Sequence, residues 1–379
     1  MNTEWICEAG AGERLPEYVR QAAPRRVLLV TGRRSFRLSG AEALCKEALA
    51  GFDVIHFQDF EENPKLGDVE RGLALCEGSP PDLVVAVGGG TAMDMAKMIA
   101  LFAAAERPPI DYVEGRAEIQ PGEIPLIALP TTAGSGSQAT HFSAVYVDKT
   151  KYSVAHPSML PTLALVDPNF LSALPKHVAA ASGLDALNQG IESFWSIHAT
   201  ADSKKKAREA IALAWEHLPG MVLEKSADAR LGMAKAAHLA GQAIDITKTT
   251  APHAISYPIT AYFGVPHGHA VGLVLPGILA FNAGVEKDDC LHPEGPEHVR
   301  ETLQEIISML GASTTEEATT LYTKRMKQIG LSSDPRAFAI GRPRDIDLIV
   351  ANGFNPQRVN NNPRRLTETA LREMLMAMI

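Results

Sequence analysis

The chain changes character at Pro168, and that change limits what it can fold into. Before it, short apolar runs alternate with stretches of helical periodicity. Residues 26–31 (Arg-Val-Leu-Leu-Val-Thr), 53–57, 82–87 and 124–129 read as strands, with two more at 143–148 and 163–166. Helical patterns at 41–50, 69–76 and 92–104 separate them. Near-continuous apolar strands, each followed by a helix, predict a parallel, doubly wound sheet covered on both faces. After Pro168 the β-branched runs disappear. Ala-, Leu- and Met-rich stretches with helical periodicity take over, at about 176–198, 201–217, 226–247, 251–263, 268–282, 297–310, 314–329 and 365–378. Pro, Gly and Asn residues at 334–363 predict irregular chain with short helices at most. The expectation is an α/β domain over 1–169 and an all-α domain over 170–379; 379 residues suffice for two cores.

Gly88-Gly89-Gly90-Thr91 follows the strand at 82–87 and opens a helix. Glycines let the backbone approach an anionic group, and a helix start offers free N–H groups and a positive dipole end. Pro130-Thr131-Thr132-Ala133-Gly134-Ser135-Gly136-Ser137-Gln138 follows the next strand. It adds hydroxyls and backbone donors at the same carboxyl edge, where open α/β sheets bind ligands.

In the helical half, Asp185 and Gln189 are spaced to share one helix face. His253 follows Ala-Pro, and His267 stands in Phe-Gly-Val-Pro-His-Gly-His. Two imidazoles and a carboxylate suit a borderline divalent ion, Fe²⁺ or Zn²⁺. The net charge of −8 comes with no basic block, which argues against nucleic acid. Cys7, Cys45, Cys76 and Cys290 form no CxxC and no disulfide-like ladder, as in a reducing compartment. Signal-peptide patterning and membrane-length apolar runs are absent, so a cytoplasmic protein is expected.

Taken together, Gly-Gly-Gly-Thr-x-x-Asp-x-x-Lys at 88–97, Pro-Thr-Thr-Ala-Gly-Ser-Gly-Ser at 130–137, Asp185, His253 and Gly-Val-Pro-His-Gly around His267 resemble the iron-containing (group III) alcohol dehydrogenase family, in order and spacing. The resemblance implies a dehydroquinate synthase-like architecture, with nicotinamide and metal in a cleft between two domains. It implies that Gly88, Gly89, Gly90 and Thr91 cradle the pyrophosphate, that Asp94 and Lys97 lie near the nicotinamide ribose, and that Thr131, Thr132 and Ser135 contact the cofactor. Asp185, His253 and His267 match three of the family's four metal ligands. Departures fall at Gln189, which stands where the fourth ligand is usually histidine, and at Tyr257 and Gln138, where the family commonly has histidine and glutamate.

NAD-preferring members often place an aspartate where this chain has Gly32, followed by Arg33, Arg34 and Ser35. Two arginines without that carboxylate favour the 2′-phosphate of NADPH over NADH. Lys248 and Thr249 ahead of His253, and His269 after His267, suit an anionic substrate, with His269 a candidate proton donor. Lys-Thr-Thr-Ala-Pro-His-Ala-Ile-Ser-Tyr-Pro and Asn361-Asn362-Pro363-Arg364 are similar to the phosphonoacetaldehyde reductase branch of the family. That similarity implies reduction of phosphonoacetaldehyde to 2-hydroxyethylphosphonate. The alternatives are a general short-chain aldehyde reductase, a polyol dehydrogenase, a lyase of the same fold, or a non-catalytic member. A small-molecule partner is expected, and a homodimer is compatible with the reading.

Overall fold

The computed structural model describes residues 3–122 and 124–379. The chain divides into two compact units, Met1–Pro175 and Lys176–Ile379. The first contains strands β1 (Glu4–Cys7), β2 (Arg26–Thr31), β3 (Asp53–Phe57), β4 (Leu83–Gly88), β5 (Leu126–Pro130), β6 (Phe142–Val147), β7 (Thr150–Ala155) and β8 (Leu163–Val166). Six of them form one parallel sheet in the order β1-β8-β5-β4-β2-β3. Alternate side chains enter two separate cores. Leu28, Val30, Val84, Ala86, Leu126 and Ala128 go to one, and Val27, Leu29, Val85, Val87, Ile127 and Leu129 to the other. In the central strands β2, β4 and β5 both faces are buried, so these strands carry no polar side in the sequence.

Two expectations change here. The strand foreseen at 143–148 forms as β6, but it pairs antiparallel with β7 in a separate hairpin. β1 was not foreseen; it is a four-residue edge strand paired with β8 alone. The strand order places β2 beside both β3 and β4, so the winding direction reverses between β2 and β4. Ligands of open α/β sheets bind beyond the carboxyl ends of strands at such a switch point. Gly32 ends β2 there, and Gly88–Gly90 leave β4.

In the second unit the helix Lys176–Trp195 is the central element. It is buried along nearly its whole length from Ala179 onward, and it packs against the helices Ala201–Leu223, Ala227–Thr247 and His267–Ala283. Helix starts follow local capping chemistry. Thr200 and Ser203 form a reciprocal capping box, and Ser226, Thr314 and Thr367 cap the helices that follow them. The segment expected to be irregular contains an eleven-residue helix, Pro343–Gly353. Its proline sits at the helix start, where a missing N–H costs nothing, and Asp345 accepts the Arg342 N–H at 2.9 Å. No described helix is long and apolar enough to cross a membrane.

Candidate functional site

In the first unit, the residues at the switch point approach one another at backbone distance. Gly32 N–H donates to the Val87 carbonyl at 3.0 Å, and Thr131 N–H to the Gly88 carbonyl at 2.8 Å. A Cβ on Gly88 would lie 2.6 Å from the Ala92 Cβ and 3.2 Å from Gly32 N; one on Gly90 would lie 2.9 Å from the Ser135 side chain. Only glycine fits between these turns. The helix Gly90–Phe102 starts there without a side-chain cap, so its first N–H groups are free for an anion. The Thr131 hydroxyl is buried and has no hydrogen-bond partner among the described residues. Gly89, Thr132 and Ser135 line the same cradle, and the Thr91 hydroxyl accepts the Asn63 N–H at 3.4 Å.

Asp94 and Lys97 face inward from this helix. Asp94 accepts the Ser137 hydroxyl at 2.6 Å and the Ala144 N–H at 3.0 Å, and burial raises its pKa against the pull of Lys97. The Lys97 ammonium, 1 % exposed, donates to the Thr140 hydroxyl at 2.9 Å and the Phe142 carbonyl at 3.0 Å. The two charges therefore brace the helix against residues 137–144. Arg33 donates to the Gln58 carbonyl at 3.0 Å and pairs with Asp59, while Arg34 is exposed.

In the second unit, Asp185, His253 and His267 converge: one donor atom of each lies within 4.8 Å of the others. Asp185 projects from the central helix. His253 lies in the first turn of the helix Ala251–Phe263, and His267 begins the next helix. Gly264, with φ at 68°, ends the former, so the short link to Pro266 brings the two imidazoles to a centroid separation of 5.3 Å. His253 Nε2 stands 3.4 Å from Asp185 Oδ1. His267 remains half-buried, leaving one side of the cluster open.

Glu192, which sequence reasoning missed, fixes this geometry. It is 0 % exposed on the same helix, two turns beyond Asp185. Its Oε1 pairs with His253 Nδ1, and its Oε2 accepts the Thr250 N–H at 2.7 Å and hydroxyl at 2.9 Å. Thr250 thus gives Glu192 the hydroxyl that would otherwise cap its own helix. A carboxylate on Nδ1 leaves Nε2 to face the cluster, the arrangement that orients a metal-binding histidine. Burial disfavours a charged His253, but Glu192 and Asp185 outweigh it and raise its pKa. The field between those carboxylates favours a cation. The signal was available, because Glu192 is in helical register with Asp185 and Gln189.

Gln189 lies in the same buried face, with its amide nitrogen donating to Asp185 Oδ2 at 3.1 Å. Tyr257 stacks on His267 at 6.0 Å. His269 is not part of the cluster; its Nε2 is 2.6 Å from the Ser332 carbonyl and its ring packs edge-on against Phe338. Asn188 Oδ1 accepts the buried Tyr322 hydroxyl at 2.5 Å, and its amide reaches the Gly268 carbonyl at 3.5 Å. Thr249 is buried, and its carbonyl accepts Asn361 Nδ2 at 3.0 Å. Asn362 exchanges amide hydrogen bonds with Asn282 at 2.7 and 3.2 Å, and Arg364 pairs with Asp289 at 2.7 Å.

Gly268 decides how closely the His267 turn meets the central helix. A Cβ there would lie 2.1 Å from the Ala181 carbonyl oxygen and 2.6 Å from Asp185 Cβ. Both are backbone-fixed, so the helices must separate. Gly268→Ala should lower stability by about 1–3 kcal/mol and weaken metal retention. Thermal melts with and without added Fe²⁺ or Zn²⁺ check this, and a variant that melts and binds like wild type would show that the turn has room.

Comparison with known proteins finds one family over both units. Residues 2–168 match the iron-containing alcohol dehydrogenase family, and residues 179–379 match the C-terminal part of the Fe-containing alcohol dehydrogenase family. The chain belongs to the iron-containing alcohol dehydrogenases. A phosphonoacetaldehyde reductase from Streptomyces viridochromogenes is 36 % identical over 306 residues, 78 % of this chain and 75 % of that one. An NAD-dependent methanol dehydrogenase from Bacillus methanolicus is 29 % identical over 94 % of this chain and 93 % of its own. The crystal structure of a sulfoacetaldehyde reductase from Bifidobacterium kashiwanohense in complex with NAD⁺ superposes with a TM-score of 0.88 at 28 % identity, covering 100 % of this chain and 96 % of that one. The chain is an iron-containing alcohol dehydrogenase-family oxidoreductase acting on the alcohol–aldehyde couple.

Proposed function

We propose that this protein reduces a small anionic aldehyde to its alcohol, and that its preferred substrate is phosphonoacetaldehyde. The observation that carries the reading is the convergence of Asp185, His253 and His267 on a half-open site held by Glu192. The donor set suits a divalent ion, with Fe²⁺ first and Zn²⁺ second. In the reaction, the carbonyl carbon gains a hydride and the oxygen a proton; a bound nicotinamide supplies the hydride and a bound divalent ion polarises the carbonyl. The protein's own residues do the rest. Glu192 keeps the His253 ring in one orientation, Gln189 steadies Asp185, and Tyr257 supports the face of His267. The proton comes from water through the open side, because the His269 Nε2 is taken by Ser332.

The first unit is the dinucleotide-binding domain in this reading. The glycine cradle, the uncapped helix start and the buried Thr131 hydroxyl fit a pyrophosphate. Arg33 and Arg34 support NADPH as cofactor. NADPH should exceed NADH in kcat/KM by roughly tenfold, about 1.4 kcal/mol of phosphate recognition. Gly32→Asp should reverse the preference. A Cβ at Gly32 would lie 2.4 Å from the Ser35 hydroxyl, a side chain that can rotate away. Equal kcat/KM for both cofactors in the wild type would remove this assignment.

Support for the anion comes from relatives named for phosphonoacetaldehyde and sulfoacetaldehyde, and from Lys248, a half-buried lysine five residues before His253 in the chain. The test is an aldehyde panel of phosphonoacetaldehyde, sulfoacetaldehyde and propanal, assayed with NADPH and with metal analysis of the same sample. The expected order is phosphonoacetaldehyde first and propanal last. Propanal leading would replace this reading with a plain short-chain aldehyde reductase.

A further inference from the structure

A second group of metal-binding side chains shares no residue with the Asp185 cluster. His292, Glu294 and His298 each offer a donor atom within 4.8 Å of the other two. The spacing His-x-Glu-x-x-x-His produces this. Glu294 immediately precedes the helix Gly295–Met309, and His298 lies one turn on, so the two share a face. His292 comes from the turn before the helix. Its Nδ1 accepts the Glu294 N–H at 3.2 Å, and its ring stacks on the His298 ring, with centroids 4.5 Å apart and planes 27° from parallel. Both imidazoles are thereby held beside one carboxylate.

Glu294 Oε2 stands 3.4 Å from His298 Nδ1. That is long for a hydrogen bond, whereas two ligands about 2.1 Å from one tetrahedral ion stand about 3.4 Å apart. His292 is buried, while the His298 side chain is 25 % exposed and that of Glu294 67 %. The group therefore combines a fixed imidazole with a carboxylate that can swing in, and its open side has room for water. Two imidazoles, one carboxylate and an open position are a donor set that zinc accepts.

One neighbour opposes a cation here. The Lys204 ammonium lies 3.1 Å from His298 Nε2 and 3.1 Å from the Thr302 hydroxyl, above the face of the Phe194 ring. It leaves Nδ1, the nitrogen toward Glu294, for the ion, but its charge counts against binding. With that competitor the site is weaker than the Asp185 cluster: it fills in added Zn²⁺ and empties in metal-free buffer. The turn it would fasten is already tied to the C-terminal segment. Leu291 N–H donates to the Pro363 carbonyl, and Arg365 N–H to the Asp289 carbonyl, both at 2.8 Å.

We propose that His292, Glu294 and His298 form a second, exchangeable Zn²⁺ site that clips this turn to the start of the helix Gly295–Met309 and stabilises the fold without entering the reaction.

The test counts metal in protein equilibrated with roughly 10 μM free Zn²⁺, enough to fill a site with a Kd of about 1 μM. Wild type should hold two ions per chain. Glu294→Gln and His298→Gln should each hold one and keep aldehyde reduction; the exposed Glu294 can be changed without disturbing a core. His267→Ala should hold one, and His267→Ala combined with His298→Gln none. Added Zn²⁺ should raise the melting temperature of His267→Ala by several degrees, and the second substitution should remove the rise. Lys204→Met should tighten the second site by roughly tenfold. Two ions retained in both Glu294→Gln and His298→Gln, or no Zn²⁺-dependent rise in His267→Ala, would overturn the proposal. A single wild-type ion that is lost in His267→Ala and kept in His298→Gln overturns it too, and leaves the Asp185 cluster standing. A single ion lost in His298→Gln and kept in His267→Ala supports it and counts against that cluster instead.

Discussion

Replacing His267 with alanine should abolish aldehyde reduction, lowering kcat by at least about a thousandfold, and should bring bound metal down to background. A thousandfold corresponds to roughly 4 kcal/mol, which is the scale that polarisation of a carbonyl by a divalent ion supplies. His267 is the half-buried member of the cluster, so its removal empties less of the core than loss of a buried side chain would. The melting temperature of the metal-free variant should therefore stay close to that of the metal-free wild type. Glu192→Gln should behave differently. The amide cannot accept from both Thr250 and His253 as the carboxylate does, and the partners lie in a fully buried site. Breaking a buried charged pair costs about 3–5 kcal/mol, so this variant should lose stability together with metal. Gln189→His should raise metal affinity by offering a third imidazole one turn from Asp185. The measurements are metal content, NADPH oxidation and thermal melts on one preparation of each variant. Full activity in a chelated wild-type sample shown to be metal-free would sink the metal-assisted mechanism.

The parts of this molecule that could be read in the sequence are those where one physical demand dominates. Strands β2, β4 and β5 are buried on both faces, so their apolar runs are nearly unbroken. β1 and β7 escape because they are short or at an edge and half exposed, with Glu4 and Lys151 among the apolar residues. The helix Pro343–Gly353 escapes for a different reason: a proline in the first turn marks a start, yet beside glycine and arginine it resembles a break. At the cluster, Asp185 and Gln189 share a face by spacing alone. That two histidines from other helices meet them is a property of the turn at Gly264 and the close approach at Gly268. Glu192 is harder still. A carboxylate in an apolar helix says that a partner exists, but Thr250 and His253 are known only once the helices pack. Asp94 and Lys97 show the reverse case. Their positions stand out in the glycine-turn motif, while the side chains bond to the segment 137–144, which no spacing predicts.

Lys248→Ala should raise the KM for phosphonoacetaldehyde by one to two orders of magnitude. A surface ion pair contributes little, but a partly desolvated ammonium bound to an oxyanion contributes about 1.5–3 kcal/mol. The strained backbone at φ 60° gives a second expectation. Alanine inherits the strain and glycine does not, so Lys248→Gly should be at least as stable as Lys248→Ala and still lose the phosphonate. That comparison separates the charge from the loop conformation. The pH dependence has a definite sign. Burial brings the ammonium to about 8, so it is charged below that pH and neutral above it. The KM for phosphonoacetaldehyde should climb as pH rises through about 8, and the KM for propanal should follow a different profile. In Lys248→Ala the climb should vanish. If both aldehydes lose equally on substitution, Lys248 supports the Thr249–Thr250 loop and through it Glu192, and the anion is held elsewhere.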